Sequence, residues 1–185
     1  MDFISVVERV IQRLDKEGVR YALIGGFAMG LRGVQRATVD LDFILMLDDL
    51  STADQIFTQS GYKRTFHSEN VSHYESSDLD LGRIDILHAF RGPSLSMLKR
   101  ADRVSLSSEL SLPVVQVEDL IGLKIQAATN DPSRASSDWL DIRLLIENAG
   151  QNKQSIDWDL IGDYLDLFGK TDKLEELRKL YGSLN

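Results

Sequence analysis

Apolar residues recur along this chain with two periods, one typical of helices and one typical of strands. Spacings of three and four residues between apolar positions predict helices at 3–17, 27–31, 49–60, 118–129, 135–149, 156–168 and 173–181. Alternating or continuously apolar runs predict strands at 21–24, 38–47, 62–66, 72–75, 83–90 and 113–117. The weaker pattern of residues 94–112 predicts one helical turn and one strand.

The order of these elements predicts an α+β fold, in which helices pack on a small mixed β-sheet and a helical C-terminal region follows. We expect the sheet within residues 1–117 and the helical region, packed on it, within residues 118–185. A chain of 185 residues, 43% of them hydrophobic, suits one domain with a packed core, or one domain with a small appendage.

Composition narrows the classes of function. The chain has no cysteine, which excludes disulfides and thiolate metal sites. Its formal net charge of −8 opposes non-specific binding to nucleic acid, although a nucleotide bound through metal ions stays compatible with it. No signal segment opens the chain and no apolar run is long enough to cross a bilayer, so we expect a cytoplasmic protein with no membrane partner.

Two aspartates near the start of the strand predicted at 38–47 are candidates for chemistry. Asp40 and Asp42 are two residues apart, so their side chains share one face of the strand. That face continues with Ile44 and Met46, which favour burial. Two like charges in such a place repel each other and are costly to desolvate, and a divalent cation between them removes both problems. The pair therefore predicts a metal site.

A glycine pair lies upstream, between the strand at 21–24 and the helix at 27–31. Gly25-Gly26 allows the backbone to approach a ligand closely, because a side chain there would keep the ligand away. The free amides at a helix start attract phosphate oxygens. We expect the pair to bind phosphates, although an ordinary tight turn is the alternative.

Asp85 is the third candidate carboxylate, in the middle of the strand at 83–90 and among residues that prefer burial. Together with Asp40 and Asp42 it provides the oxygen ligands that Mg²⁺ prefers, and two such ions can clamp the attacking and leaving oxygens of a displacement at phosphorus. The alternative for Asp85 is an ion pair with Arg83 or Arg91.

These residues carry a resemblance. One stretch resembles the signature of the nucleotidyltransferase superfamily, which includes DNA polymerase beta and the antibiotic nucleotidyltransferases. It consists of Gly25-Gly26, thirteen intervening residues and Asp40-Leu41-Asp42. Asp85 resembles that superfamily's third carboxylate. The run from Arg36 to Asp42 is similar to a form found in the abortive-infection (type IV toxin) branch. The resemblance implies that residues 1–117 form a nucleotidyltransferase core.

A second stretch is similar to the helical motif of the same branch. It comprises Glu118-Asp119-Leu120, Lys124, Arg134 and the run from Asp138 to Ile142. There the lysine is thought to meet nucleotide phosphates, whereas the residues alone favour a lysine that reaches from an apolar helix to its rim. Asp138 and Asp141 share a helix face, and three roles stay open for them: a solvated surface, orientation of Lys124, or a general base.

The resemblance implies an enzyme that moves a nucleoside monophosphate from an NTP to an acceptor hydroxyl and releases pyrophosphate, with two Mg²⁺ ions as cofactors. It assigns catalytic and metal-binding roles to Asp40, Asp42 and Asp85, and nucleotide binding to Gly25, Gly26, Arg36, Thr38, Lys124 and Asp138. The acceptor is a small molecule such as an aminoglycoside, a tRNA end or a protein side chain, and an antitoxin partner is implied. Arg36 has pairing with an aspartate as its alternative role.

Two other functions compete with this interpretation. One is a non-catalytic nucleotide-binding or interaction protein on the same fold, and the other is a two-metal phosphohydrolase. The three aspartates weigh against the first function, and the lack of a histidine-rich ligand set weighs against the second. We expect His67 and His73 on the surface, and His88 packed in its strand.

Overall fold

The computed structural model describes residues 2–107 and 110–182. The helices are α1 (Phe3–Val6), α2 (Gln12–Lys16), α3 (Gly25–Leu31), α4 (Leu50–Gln59), α5 (Gly92–Arg100), α6 (Val117–Asn130), α7 (Ala135–Gln151), α8 (Trp158–Leu167) and α9 (Leu174–Gly182). The strands are β1 (Tyr21–Ile24), β2 (Asp40–Met46), β3 (Tyr62–His67), β4 (Val71–Ser76), β5 (Arg83–Ala89), β6 (Asp102–Ser105) and β7 (Ser111–Val114). A π-helical segment, Val7–Ile11, joins α1 to α2.

Within the described residues the strands form one sheet in the order β3-β4-β5-β2-β1-β7-β6. The β2–β5 and β1–β7 pairs are parallel, whereas β1–β2, β3–β4, β4–β5 and β6–β7 are antiparallel. The predicted mixed sheet packed by helices is therefore confirmed. None of the helices in the part of the chain that is described has the length and apolar composition of a membrane span.

The alternation of β2 explains why the two aspartates lie together. Leu41, Phe43 and Leu45 are buried on one face of the strand, while Asp40 and Asp42 are half-buried on the other. Because successive side chains of a strand point to opposite faces, burial of the apolar set directs both carboxylates to the same side of the sheet.

The region around residues 94–112 is more regular than its sequence pattern predicts. Pro93 lies in the first turn of α5, where its missing N–H costs no hydrogen bond, so it begins a helix in addition to ending the strand before it. The strand predicted at 113–117 lies at Ser111–Val114 and pairs with both β1 and β6. Tertiary pairing with two neighbours outweighs the local pattern here.

The described residues divide into two compact units. The first contains the residues up to Ala28 and those from Arg36 to Val115, and therefore the whole sheet. The second contains Met29–Gln35 and the residues from Gln116 onward, and its core includes buried Ile121, Ile125, Ile142, Leu145, Ile146, Ile161, Leu165 and Leu177.

A close contact between helices organises the second unit. Gly122 of α6 faces the ring of Tyr164 on α8, and a Cβ on this glycine would lie 2.7 Å from the ring. The Tyr164 hydroxyl donates a buried hydrogen bond to Asp119 Oδ1 over 2.7 Å. A glycine at position 122 therefore lets the tyrosine reach the buried carboxylate.

Candidate active site

Asp42 and Asp85 lie directly opposite each other in the parallel pairing of β2 with β5. Residues in register on adjacent strands share a face of the sheet, so Asp40, Asp42 and Asp85 occupy neighbouring positions on one surface. Asp40 is opposite Arg83 in the same pairing. The structure thus brings the three predicted carboxylates together. However, no group of three or more Asp, Glu or His side chains among the described residues is arranged to hold a metal ion.

Asp85 has two hydrogen-bond donors, and both contact the same oxygen. Its Oδ1 accepts from Arg83 Nε over 2.8 Å and from His73 Nδ1 over 2.6 Å. Within the described part of the chain no hydrogen bond reaches Oδ2. The ion pair with Arg83, left open as an alternative, is therefore present, and it leaves one oxygen of Asp85 available.

Arg83 is a fixed positive charge among these carboxylates. Its hydrogen bond to Asp85 raises the pKa of Arg83 above its ordinary value, and the nearby charges of Asp40 and Glu75 act in the same direction. The register places Asp40, Arg83, Glu75 and Lys63 opposite one another in turn across β2, β5, β4 and β3. Alternating charges along this row reduce the repulsion among the carboxylates.

The glycine pair packs against the start of β2. Gly25 has φ of 68°, which a residue with a side chain rarely adopts, and its Cα lies against the Asp42 carboxylate, where a Cβ would be 2.6 Å from Cγ. A Cβ on Gly26 would lie 3.1 Å from Thr38 Cβ. The Thr38 hydroxyl donates to the Asp40 carbonyl over 3.1 Å. Gly25, Gly26 and Thr38 therefore shape the backbone that presents Asp40 and Asp42, while their contact with phosphate stays a prediction.

Arg36 is exposed in the segment between α3 and β2. It belongs to the first unit, as do Gly25, Gly26 and Thr38. Its two predicted roles, binding phosphate and pairing with an aspartate, stay predictions.

Lys124 and Asp138 form a buried cluster in the second unit. Lys124 Nζ lies 3.0 Å from Asp138 Oδ1 and 2.7 Å from Asp141 Oδ2. The Asp138 side chain is fully buried, and those of Lys124 and Asp141 are 11% and 6% exposed. The interpretation of the two aspartates as a solvated surface is therefore wrong, and the contacts match orientation of Lys124. Arg134 approaches from the edge, with Nε 3.7 Å from Asp138 Oδ2.

The structure also shows a residue that the sequence reasoning missed. His73 was expected on the surface, but its side chain is only 29% exposed and contacts Asp85. A signal for it existed: the polar turn between the strands at 72–75 and 83–90 favours an antiparallel hairpin, and the alternation of β4 places His73 on the face of Asp85. His88 is buried as expected, and its Nε2 lies 2.9 Å from Ser72 Oγ.

Solved structures define the class of fold. ANT(2″)-Ia in complex with adenylyl-2″-tobramycin has a TM-score of 0.66 and 13% identity, over 89% of this chain and 98% of that one. The lincosamide adenylyltransferase LnuA, bound to lincomycin, has a TM-score of 0.57 and 14% identity, over 78% and 96%. An antigenic nucleotidyltransferase-like protein from Paracoccidioides brasiliensis has a TM-score of 0.55 and 19% identity, over 96% and 90%. The fold is that of the nucleotidyltransferases.

A more specific assignment comes from the sequence. The family model of the AbiEii nucleotidyl transferase toxins of type IV toxin–antitoxin systems matches residues 9–181, and the chain belongs to this family. No curated protein sequence matches it significantly.

Proposed function

We propose that this protein transfers a nucleoside monophosphate from an NTP to an acceptor hydroxyl and releases pyrophosphate, with Mg²⁺ as the cofactor. The observation that carries this proposal is the register of Asp42 against Asp85 on parallel strands, with Gly25 packed against Asp42. Membership in a family of nucleotidyl transferase toxins supports the reaction type.

The donor set fits the metal. Mg²⁺ prefers oxygen ligands, keeps several waters, and is commonly bound by one or two carboxylates together with substrate phosphates. A pair of facing carboxylates flanked by a third is compatible with that requirement, although it forms no preformed cage of three ligands. In the proposal Asp40 and Asp42 hold the ions, and Asp85 completes the ligand set on the acceptor side. Bound Mg²⁺ supplies positive charge against the phosphoryl group.

The protein's own residues then position the reactants. Oδ2 of Asp85, which receives no hydrogen bond in the described part of the chain, is the proposed acceptor for the proton of the attacking hydroxyl. The proposed nucleotide-binding residues are Gly25, Gly26, Arg36, Thr38, Lys124 and Asp138. For Lys124 the structure adds that two aspartates fix its amine.

The proposal for the acceptor rests on the comparisons with known proteins. ANT(2″)-Ia was solved with adenylyl-2″-tobramycin and LnuA with lincomycin, which supports a small molecule as the acceptor. The type IV toxin family supports an acceptor whose modification harms the cell, and a cognate antitoxin as partner. Growth of cells that express the wild type or Asp42→Asn tests the toxic activity: only the wild type should arrest growth.

The reaction itself is tested with each of the four NTPs, radiolabelled at the α-phosphate, Mg²⁺ and a set of acceptors that includes aminoglycosides, tRNA and the protein itself. We expect the wild type to release pyrophosphate and to label one acceptor, and Asp42→Asn to do neither. Asp48→Asn is the matched control, because Asp48 is an exposed carboxylate just beyond β2. Release of NMP without an acceptor would instead indicate a phosphohydrolase. NTP binding without turnover would indicate the non-catalytic alternative.

A further inference from the structure

His73 bonds Asp85 from a different strand than Arg83 does. It lies on β4 directly opposite Asp85 in the antiparallel pairing with β5, and its Nδ1 is 2.6 Å from Oδ1. A carboxylate that pairs with a guanidinium accepts hydrogen bonds, so Nδ1 carries the proton and donates. Because that nitrogen is then a donor, its 3.4 Å approach to Arg83 Nη2 is a contact between two donors rather than a second hydrogen bond. The Nδ1 proton of His73 is therefore donated to Asp85.

The ring of His73 is itself held in place. Phe66 of β3 stacks on it, with ring centroids 5.2 Å apart and an interplanar angle of 29°. A β-bulge between Arg64 and Phe66 shifts the β3–β4 register, so that Phe66 lies opposite His73. Without the bulge, Thr65 would take that position. Bulges re-aim side chains and are frequent beside active sites.

The position of Phe66 is unfavourable for an apolar side chain, because 49% of this large residue is exposed to solvent. Its ring stacks on His73, so the bulge and the stacking together hold the imidazole. A row of side chains thus extends across four strands, from the carboxylate pair to the edge of the sheet. Its members are Asp42, Asp85, His73 and Phe66.

We infer that His73 is a positioning residue, which fixes Asp85 through Oδ1 so that Oδ2 faces the cation and the acceptor hydroxyl. This inference rests on the proposed function. Arg83 bonds the same oxygen from β5 and His73 bonds it from β4, so donors on two strands hold the carboxylate through Oδ1. Loss of a hydrogen-bond donor that orients a metal ligand commonly weakens metal binding by about 10- to 100-fold.

Binding of Mn²⁺ in the presence of a non-hydrolysable NTP analogue tests the inference, because the phosphates of the analogue complete the ligand set and Mn²⁺ accepts the same oxygen ligands as Mg²⁺. Free Mn²⁺ is quantified by electron paramagnetic resonance, with the analogue alone as the blank. We expect His73→Ala to weaken Mn²⁺ binding by about 10- to 100-fold. His73→Asn should recover most of the affinity, because the amide nitrogen of asparagine occupies nearly the position of Nδ1. His67→Ala is the matched control, since this exposed histidine bonds Ser72 and should leave the affinity unchanged.

Circular dichroism of each variant checks folding, and His73→Leu, which fills similar space without a donor, replaces the alanine variant if that one unfolds. Wild-type affinity in His73→Ala or His73→Leu, combined with loss of binding in Asp42→Asn, would overturn the role of His73 and leave the proposed function intact. If the wild type and Asp42→Asn bind Mn²⁺ equally, the proposed metal site fails, and the inference fails with it.

Discussion

The carboxylate of Asp42 occupies the space in which a side chain at position 25 would begin. A Cβ on Gly25 would lie 2.6 Å from Asp42 Cγ, much closer than atoms in contact allow. The backbone of Gly25 is also left-handed, with φ of 68°. Glycine is thus required here for two separable reasons, one in the backbone and one in the carboxylate that it contacts.

Gly25→Ala should therefore lose both stability and metal binding. The left-handed backbone alone costs about 1–2 kcal/mol for a residue with a Cβ, and displacement of Asp42 adds a cost of about 1–3 kcal/mol for overpacking. Urea unfolding and Mn²⁺ titration measure the two effects.

Gly18→Ala is the control that separates them. Gly18 has nearly the same φ, 67°, but among the described residues no heavy atom beyond its chain neighbours lies within 4 Å of the position of a Cβ. We expect Gly18→Ala to lose only the backbone contribution and to retain Mn²⁺ affinity. Equal losses of stability in the two variants, with Mn²⁺ binding intact in both, would show that Asp42 moves aside at no cost.

Lys124→Met should strongly destabilise the protein. The substitution leaves Asp138 and Asp141 as buried carboxylates without their shared ammonium group, and breaking a buried ion pair by removing one partner costs about 3–5 kcal/mol. Lys173→Met removes an exposed pair with Glu176 and should cost less than about 1 kcal/mol. A comparably small loss for both variants, measured by denaturant unfolding, would mean that the cluster contributes little to stability.

Two glycines of the second unit should respond to alanine with opposite signs. Gly122→Ala places a methyl group 2.7 Å from the ring of Tyr164 and disturbs its hydrogen bond to Asp119, so we expect a loss of about 1–3 kcal/mol. A Cβ at position 162 would lie 3.8 Å from Leu174, an ordinary contact distance, so Gly162→Ala should gain up to about 1 kcal/mol from helix propensity. Thermal unfolding of the pair checks the signs, and a neutral Gly122→Ala would contradict the described packing.

His88 should make stability fall in mild acid. Burial lowers the pKa of His88 below its ordinary value of 6.5, against a smaller opposing effect of its hydrogen bond to the Glu69 carbonyl. The unfolded chain therefore takes up this proton first as the pH decreases through 6.5, and the free energy of unfolding falls. Urea unfolding at pH 7.5 and 5.5 should show a larger difference for the wild type than for His88→Asn. Identical differences would assign the effect to other groups.

Much of the site follows from short-range pattern, and the remainder depends on register. The period of β2 places Asp40 and Asp42 on one face, and the glycine pair upstream is visible in the sequence. The contact of His73 with Asp85 is different, because the polar turn indicates the β4–β5 hairpin but does not fix the register that places these two residues opposite each other. The stacking of Phe66 on His73 depends in addition on a bulge in β3, which leaves no clear local signal. The Lys124 cluster likewise requires two helices to meet, which spacing along one helix does not establish.

Residues 29–35 interrupt the sheet-forming half of the sequence yet belong to the helical unit. There the Arg32 carbonyl accepts a hydrogen bond from Asn148 Nδ2 over 3.0 Å, and Gly33 leaves room for the same asparagine. A chain shortened after Val115 would keep residues 29–35 but would lose the asparagine that they contact. An exchange of the C-terminal helices between relatives therefore requires residues 29–35 to be exchanged with them. If only the C-terminal helices were exchanged, residues 29–35 would face helices from a different protein.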